Sequence, residues 1–421
     1  MAGSEPSAKA PSNRILQLDG LRGMAILLVI FYHYIFTTTP APQGTLVAYL
    51  QAASRIGWSG VDLFFVLSGF LIGGILLDAR DSTSYFRTFY LRRIHRIFPI
   101  YYLWIGIYFL VAFTPLVHWS APLGIMPRRW TIIPVYALFL QNMASGPGHE
   151  FRPVWLAVLW SLAVEEQFYL VVPSVVRFLS RRGLVVSLIL TILGAPLIRI
   201  LVFRYLAPTH AAAIYMLTPC RADALAMGVL LSVVWRVDRY KAWIQAHLNG
   251  LYGVLAVLAV GIGCLMIAGK SEYSYTMAVW GYSCVDLFFA GIVLLALIVP
   301  RGIWAGICRW PMLIGIGGIS YCIYIIHSPI NRFCHFVLSP SANGISTLPS
   351  LGATLIAAAI TWLVAKMSWR YLESPMIRLG HQYKYSRRAT GLQVDGTRAD
   401  FENAALIITK LRSEGVRPDL E

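Results

Sequence analysis

The segment Leu18-Asp-Gly-Leu-Arg-Gly-Met-Ala-Ile-Leu-Leu-Val-Ile-Phe-Tyr-His33 leads into the first long apolar stretch of the chain and places a histidine within it. Thr-Thr-Thr-Pro-Ala-Pro follows without a small-residue cleavage pattern, so the stretch is predicted to be a retained membrane span and not a signal peptide. The core of a bilayer offers no water to a titratable group, and an imidazole is tolerated there only where another group pairs with it or uses it. His33 is therefore the first candidate for chemistry.

The composition extends this prediction from one span to the whole chain. Of 421 residues, 57% are hydrophobic and 13% are charged, whereas about 25% charged residues is typical of a soluble domain. The net charge is +16, and most of the basic excess lies in short segments between apolar runs, where it sets the orientation of spans. The sequence thus predicts a multi-pass protein of the cell membrane, the cytoplasmic membrane if bacterial, with no nucleic-acid partner.

Metal binding and disulfide formation are not indicated. The six cysteines show no C-x-x-C spacing, and the His and carboxylate residues are scattered over several apolar stretches. Because structural disulfides and metal sites need characteristic ligand spacings, no metal is expected and the cysteines are interpreted as small core residues.

A membrane-spanning helix needs about 20 mostly apolar residues. Ten stretches meet this requirement, near residues 21–39, 58–77, 97–116, 156–177, 184–203, 213–235, 250–269, 276–299, 312–337 and 350–372. A shorter apolar piece at 131–143 is too brief to cross and is predicted to form a re-entrant or interfacial helix. The predicted fold class is an all-α polytopic membrane protein with about ten transmembrane helices and this one short additional helix.

Basic residues between the spans predict the orientation. With ten spans, the Arg-containing segments near 80–96, 181–182, 236–241 and 301–309 fall on one side with both termini, which the positive-inside rule assigns to the cytoplasm. The predicted organisation is a flexible cytoplasmic N-terminus at 1–18, an integral membrane domain at 19–378 and a cytoplasmic tail at 379–421. In the tail, residues 397–414 are predicted to form a short amphipathic helix.

Titratable residues of five spans are predicted to lie at similar depths. Counted from the cytoplasmic side, Glu165 and Asp223 lie about 15 Å deep, His33 and Arg221 about 18 Å, and Asp62 and His327 about 22 to 24 Å. This shared layer favours an internal cavity near the midplane. The candidate residues for binding an acceptor there are Asp62, Glu166, Arg221, Asp223 and His327. Pro329, which follows His327, is expected to break the ninth span.

His33 is the candidate general base. A neutral imidazole can take a proton from an attacking hydroxyl, and a nearby carboxylate would orient the ring. Glu165 and Glu166 are the candidates for that carboxylate. The alternative for His33 is a core histidine that donates to a neighbouring backbone carbonyl or a serine. The alternative for the glutamates is an ion pair with Arg221 that only holds helices together.

Arg93 and Arg96 lie one helical turn apart near the start of the third span, so both guanidinium groups share one helix face and can bind phosphate groups. Arg22 lies near the same cytoplasmic boundary. The three residues are predicted to form a positively charged entrance that leads toward His33. The alternatives are a topology signal for the pair and simple snorkelling for Arg22.

One short pattern recurs: Val61-Asp-Leu-Phe-Phe65 is repeated as Val285-Asp-Leu-Phe-Phe289, each a few residues after a tryptophan. Internal duplication is one interpretation, and a chance match between apolar segments is the other.

Several ordered motifs make the chain similar to the acyltransferase family 3 membrane proteins. They are Leu18-Asp-Gly-Leu-Arg-Gly with the spacing Arg22-x10-His33, Gly60-Val-Asp-Leu-Phe-Phe-Val-Leu-Ser-Gly-Phe-Leu-Ile72, Arg93-x-x-Arg96, Trp160-Ser-Leu-Ala-Val-Glu-Glu-Gln-Phe-Tyr169, Arg221-Ala-Asp-Ala-Leu-Ala-Met-Gly228, and Gly318-Ile-Ser-Tyr321 with His327. The resemblance implies transfer of an acyl group, commonly acetyl from acetyl-CoA or another acyl-CoA, onto hydroxyls of extracytoplasmic carbohydrates or glycolipids. The residues that correspond to the family's functional positions are Arg22, His33, Arg93, Arg96 and Glu165.

Together, these arguments predict an integral membrane O-acyltransferase whose catalytic residues are His33, Glu165 and Arg22. Acyl-CoA would enter from the cytoplasm with its phosphates held by Arg93, Arg96 and Arg22. The acceptor hydroxyl, deprotonated by His33, would attack the thioester directly or attack an acyl-histidine formed first. The alternative function is transport of an anionic or lipid-linked sugar, which predicts inverted repeats that the sequence does not show.

Overall fold

The computed structural model describes residues 15–36, 42–115, 125, 130–144, 153–206, 212–269, 271–340, 345 and 347–386. Within these ranges the regular structure is entirely helical. Nine of the described helices are long and apolar enough to cross a membrane, and a bent pair of helices makes a tenth if it counts as one span. The predicted all-helical class with about ten spans is confirmed, whereas the helix predicted at 397–414 lies outside the described residues.

The helices of the first half of the chain are α1 (Leu16–Phe31), α2 (Leu46–Ser54), α3 (Gly60–Asp78), α4 (Tyr85–Phe113), α5 (Ile132–Ala137), α6 (Trp160–Phe178) and α7 (Arg181–Tyr205). Those of the second half are α8 (Ala213–Met216), α9 (Thr218–Trp235), α10 (Asp238–Ala246), α11 (Leu248–Ile267), α12 (Tyr282–Ile298), α13 (Ile303–Cys308), α14 (Pro311–Gly318), α15 (Ser320–Leu338), α16 (Leu348–Ser368) and α17 (Ser374–Gly380). Single π-helical turns continue α1 over Tyr32–Phe36 and join α16 to α17 over Trp369–Glu373. The π-helical turn after α1 contains His33.

The short apolar piece predicted at 131–143 contains only α5, whose six residues are too few to cross a membrane. The chain turns back after α5 at Phe139, which has a φ of 55°. Gln141 then donates from Nε2 to the carbonyl of Leu159 at 2.8 Å, directly before α6 begins. The segment therefore supports the start of α6, the helix that carries Glu165.

The ninth span is broken at a different place from the one predicted. Helices α14 and α15 meet at an angle of 77° across Ile319, whereas α15 runs through Pro329 to Leu338. The expectation that Pro329 breaks the span is therefore wrong. A proline removes only one helix hydrogen bond, and neighbouring helices can hold the two halves in line. The bend follows Gly317-Gly318, which have no side chains to stabilise a continuous helix.

Glycines allow the central helices to approach one another closely. A Cβ atom at Gly23 of α1 would lie 2.1 Å from the carbonyl oxygen of Leu313 in α14, and one at Gly69 of α3 would lie 2.1 Å from that of Leu225 in α9. Such contacts are typical of small residues at helix interfaces in membranes. They bring the polar residues of α1, α3 and α9 to the centre of the bundle.

Candidate active site

A cavity of about 920 Å³ opens among α1, α3, α4, α6, α15 and the last described helical segment, residues 369–381. Its polar lining residues include Asp19, Arg22, Ser68, Asp78, Arg93, Arg96, Glu165, Glu166, Tyr169, Arg236, Glu373 and His381. One end, which we call the mouth, is lined by the exposed residues Ile15, Asp78 and His381. The other end, the inner end, is lined by the buried residues Val61, Ser161 and Tyr324.

The three arginines selected from the sequence share this cavity. Arg22 Nη1 lies 3.6 Å from Asp19 Oδ1, one turn earlier in α1, and Arg93 and Arg96 both face the cavity from α4. Arg93 Nε is buried and has no hydrogen-bond partner among the described residues. A buried N–H group without a partner is costly, so an anionic ligand in the cavity would be bound favourably there.

Helix α6 supplies both glutamates. The Tyr169 hydroxyl donates to Glu165 Oε2 at 3.2 Å from the next turn of the same helix, and Ser68 of α3 bonds the same hydroxyl. Glu166 Oε1 is buried with no hydrogen-bond partner in the described part of the chain. The glutamates therefore line the cavity together with the arginines.

His33 and His327 form a pair. His33 Nδ1 lies 3.2 Å from His327 Nε2, and the two ring centroids are 4.8 Å apart. His327 is fully buried, whereas His33 is partly exposed. The side chain of α15 that contacts His33 is thus His327, which the sequence analysis had assigned to acceptor binding.

The backbone fixes the protonation of both rings in their neutral forms. His33 Nδ1 lies 2.9 Å from the carbonyl of Val29, and His327 Nδ1 lies 2.8 Å from the carbonyl of Tyr324. A carbonyl oxygen only accepts, so each Nδ1 carries the hydrogen, and the one Nδ1–H of His33 is shared between the carbonyl of Val29 and Nε2 of His327. The unprotonated nitrogen of His33 is then Nε2, the atom with which it would accept a proton.

Helix α15 connects the cavity to this pair. Tyr324 lines the inner end of the cavity and lies one helical turn, about 4.5 Å of rise, before His327. Its hydroxyl donates to the carbonyl of Val158 at 3.1 Å and lies 2.6 Å from Ser161 Oγ. The cavity therefore leads from the arginines to within about one turn of the histidine pair.

The other charged residues of the predicted layer bind one another. Arg221 of α9 forms an ion pair with Asp62 of α3, and both side chains are 0% exposed. Its guanidinium carbon lies 4.3 Å from the ring centroid of Tyr282. Asp223 accepts from Arg199 Nη1 of α7 at 2.8 Å. The sequence analysis considered Arg221 as a partner of Glu165, but its carboxylate partner is Asp62.

Two members of this buried cluster were missed from the sequence. Arg199 is a lone cation in the fifth apolar stretch, and Asp286 belongs to the repeated pattern Val285-Asp-Leu-Phe-Phe289. Both side chains are completely buried. The available signal was their charge, because an ionisable residue within a span needs a partner or a function.

The cluster contains three carboxylates and two guanidinium groups, so one carboxylate lacks a cation. Asp286 lies against Asp223, and its two oxygens have no hydrogen-bond donor among the described residues. A proton on Asp286 would provide the missing donor.

Asp286→Asn, whose amide can donate to Asp223, is expected to unfold at the wild-type temperature, whereas Asp286→Leu should lose about 1 to 3 kcal/mol of stability. Thermal unfolding in detergent tests this, and a Leu variant as stable as the Asn variant would contradict it.

The number of long apolar helices and the family match make the chain a multi-pass protein of the cell membrane. It belongs to the family described as "Acyltransferase domain", whose model matches residues 15–366. The predicted family is therefore confirmed, and with it the class of enzyme, an acyltransferase. Among the described residues, no three His, Cys, Asp or Glu side chains are grouped so as to hold a metal ion.

Curated relatives give a finer comparison. The chain is 28% identical over 377 residues to the peptidoglycan O-acetyltransferase OatA of Listeria monocytogenes, covering 86% of this chain and 56% of the relative. It is 28% identical over 383 residues to the O-acetyltransferase OatA of Staphylococcus aureus, covering 86% and 57%. The chain thus spans little more than half the length of these relatives. No solved structure matches the chain significantly.

Proposed function

We propose that this protein is a membrane O-acetyltransferase that moves an acetyl group from acetyl-CoA to a hydroxyl of a cell-wall carbohydrate. The family supports acyl transfer, and the printed functions of the relatives support O-acetylation and a peptidoglycan-type acceptor. The observation that carries the proposal is the cavity, which is lined by Arg22, Arg93 and Arg96 and whose inner end lies about one helical turn from the histidine pair.

The donor would enter through the mouth, which the positive-inside rule assigns to the cytoplasm. Arg93 and Arg96 would bind its phosphate groups, assisted by Arg22. Arg22 and His33 are eleven residues apart on one helix, about 16 Å, a length that an extended pantetheine arm spans. We therefore assign Arg22, with Glu165 and Tyr169, to holding the donor in the cavity.

His33 would act as the general base. Its Nε2 takes the proton of the acceptor hydroxyl as the hydroxyl oxygen attacks the thioester carbonyl carbon. The carbon–sulfur bond then breaks, and the CoA thiolate takes the proton from His33, so the reaction is balanced without another reactant. If an acyl-histidine forms first, the same nitrogen carries the acyl group.

His327 would orient this base. Its Nε2 accepts from His33 Nδ1–H, a hydrogen that the carbonyl of Val29 shares, and it thereby occupies the position that an orienting carboxylate holds in a catalytic triad. This is the role that the sequence analysis assigned to Glu165 or Glu166. A neutral histidine stabilises the charged ring less than a carboxylate does, so His327 fixes geometry more than it supplies charge.

The acceptor would reach His33 from the side opposite the mouth. Tyr32, whose ring packs against His33 with centroids 5.2 Å apart, donates from its hydroxyl to Glu272 Oε1 at 2.8 Å. These two polar groups are suited to binding a sugar hydroxyl. Asp62, Arg221 and Asp223 were predicted to bind the acceptor, but in our proposal their ion pairs stabilise the bundle that holds the site.

The test is acetyl transfer by the purified chain in lipid nanodiscs. Acetyl-labelled CoA is supplied with peptidoglycan fragments, and two products are measured: free CoA thiol and label on the glycan. We expect both to appear together and to depend on the protein. A chain that binds CoA but transfers label only to water would exclude the proposed acceptor, and a chain that binds no CoA would overturn the proposal.

A further inference from the structure

The last helical segment among the described residues presents one face to the cavity. Trp369, Glu373, Ile377 and His381 recur at every fourth residue, and all four line the cavity. A spacing of four residues keeps side chains on one side of a helix. The segment is therefore a wall of the cavity from its interior to its mouth, although the family model already ends at residue 366.

Contacts with the start of α4 and the turn before it fix this wall in place. Arg92 Nε donates to the carbonyl of Tyr383 at 2.8 Å, and Thr88 Oγ1 donates to the carbonyl of Lys384 at 3.1 Å. The backbone N–H of Thr83 donates to the carbonyl of Ser386 at 3.2 Å. Because Thr88 and Arg92 precede Arg93 and Arg96 on α4, the segment and the arginine pair share one rigid framework.

His381 stands among cations at the mouth. Burial and the charges of Arg92, Arg93 and Arg96 on α4 lower the pKa of His381 below its ordinary value. The other charged groups that line this cavity from packed elements are Asp19, Arg22, Asp78, Glu165, Glu166, Arg236 and Glu373. A phosphate bound between the arginines and His381 would reverse this effect, because an anion favours the protonated ring.

We propose that His381 is a ligand for a phosphate group of the nucleotide donor and completes, with Arg93 and Arg96, a site at the mouth of the cavity. The inference rests on the proposed function, since it assumes that the donor enters there. The imidazole N–H donates to a phosphate oxygen, and protonation makes that bond charge-assisted. Donor binding thereby takes up a proton, so the affinity rises as the pH falls from 8 to 6.

The test measures the Kd of CoA by calorimetry for the full chain in nanodiscs at pH 6 and pH 8. His381→Gln is expected to weaken binding about tenfold at pH 6 and only slightly at pH 8. His381→Arg carries a fixed charge and should bind tightly at both values, which removes the pH dependence without removing the site. Pantetheine, which lacks the nucleotide, should bind all three proteins equally.

The matched control is His247→Gln, because His247 is an exposed histidine directly after α10, and its Nδ1 bonds the carbonyl of Trp243 one turn earlier. This variant should keep the wild-type pH dependence. If His381→Gln also keeps it, the inference is overturned while the donor assignment stands. If the wild-type chain does not bind CoA at all, the proposed function itself fails.

Discussion

Replacing His33 by glutamine is expected to lower kcat for acetyl transfer by a factor of about 10² to 10⁴, the usual contribution of a positioned general base. Glutamine keeps much of the volume and can donate to the carbonyl of Val29, but its amide cannot accept a proton at neutral pH. The Kd of CoA should change little, because the arginines that would hold the donor line the cavity, and Arg22 among them lies about 16 Å from His33 along the helix. Single-turnover label transfer measures the first quantity, and calorimetry measures the second.

Two further histidine variants separate chemistry from packing. His327→Gln is expected to lower kcat by a smaller factor, since it disturbs the orientation of His33 and leaves Nε2 in place. His335→Gln is the matched control, because His335 is also buried on α15 and bonds Thr354 Oγ1 at 2.9 Å, away from the pair. Transfer at the wild-type rate by His33→Gln would remove His33 from the mechanism.

The spans could be predicted because their signal is one-dimensional. A stretch of about 20 apolar residues reports the thickness of a bilayer whatever its neighbours are. The exception is instructive: Pro329 is a strong local signal, yet the span bends at Ile319. Whether a proline breaks a helix depends on the packing around it, which the local sequence does not contain.

The site could be predicted only in part, for a geometric reason. Counting residues along a span gives an expected depth, and the structure does bring Asp62 to Arg221 and His33 to His327. The count does not give the direction in which a side chain points around the helix axis, so partners within the predicted layer cannot be assigned. The pairs His33 with His327 and Asp62 with Arg221 depend on that direction.

The resemblance supplied roles that spacing could not. It singled out Arg93 and Arg96, which on spacing alone are equally well explained as a topology signal. It did not point to Arg199, Asp286 or His381, because these residues lie outside the motifs that carried it. Only the structure shows them: Arg199 forms a buried ion pair, Asp286 is a buried carboxylate without a cation, and His381 lies at the mouth of the cavity.

Replacing Arg93 and Arg96 together by glutamine is expected to weaken CoA binding about 100-fold. Each charge-assisted hydrogen bond to a phosphate contributes about 1.5 to 3 kcal/mol, and the lower value applies here because both side chains are partly exposed to water. Two such bonds amount to about 3 kcal/mol, or about two orders of magnitude in Kd. Since the substitution acts on donor binding, it should raise the KM for acetyl-CoA and leave much of the wild-type kcat at saturating acetyl-CoA. His33→Gln should do the opposite.

Salt dependence distinguishes this electrostatic role from a structural one. Binding of a polyanion to two guanidinium groups weakens as added salt screens their charges, so the wild-type Kd should rise with ionic strength and the double variant should respond less. The matched control is Arg87→Gln, because Arg87 is an exposed arginine on the same helix that does not line the cavity. Its CoA affinity should stay at the wild-type value. A double variant with unchanged affinity would show that Arg93 and Arg96 only orient the helix in the membrane, which is the interpretation that their position at a span end first allows.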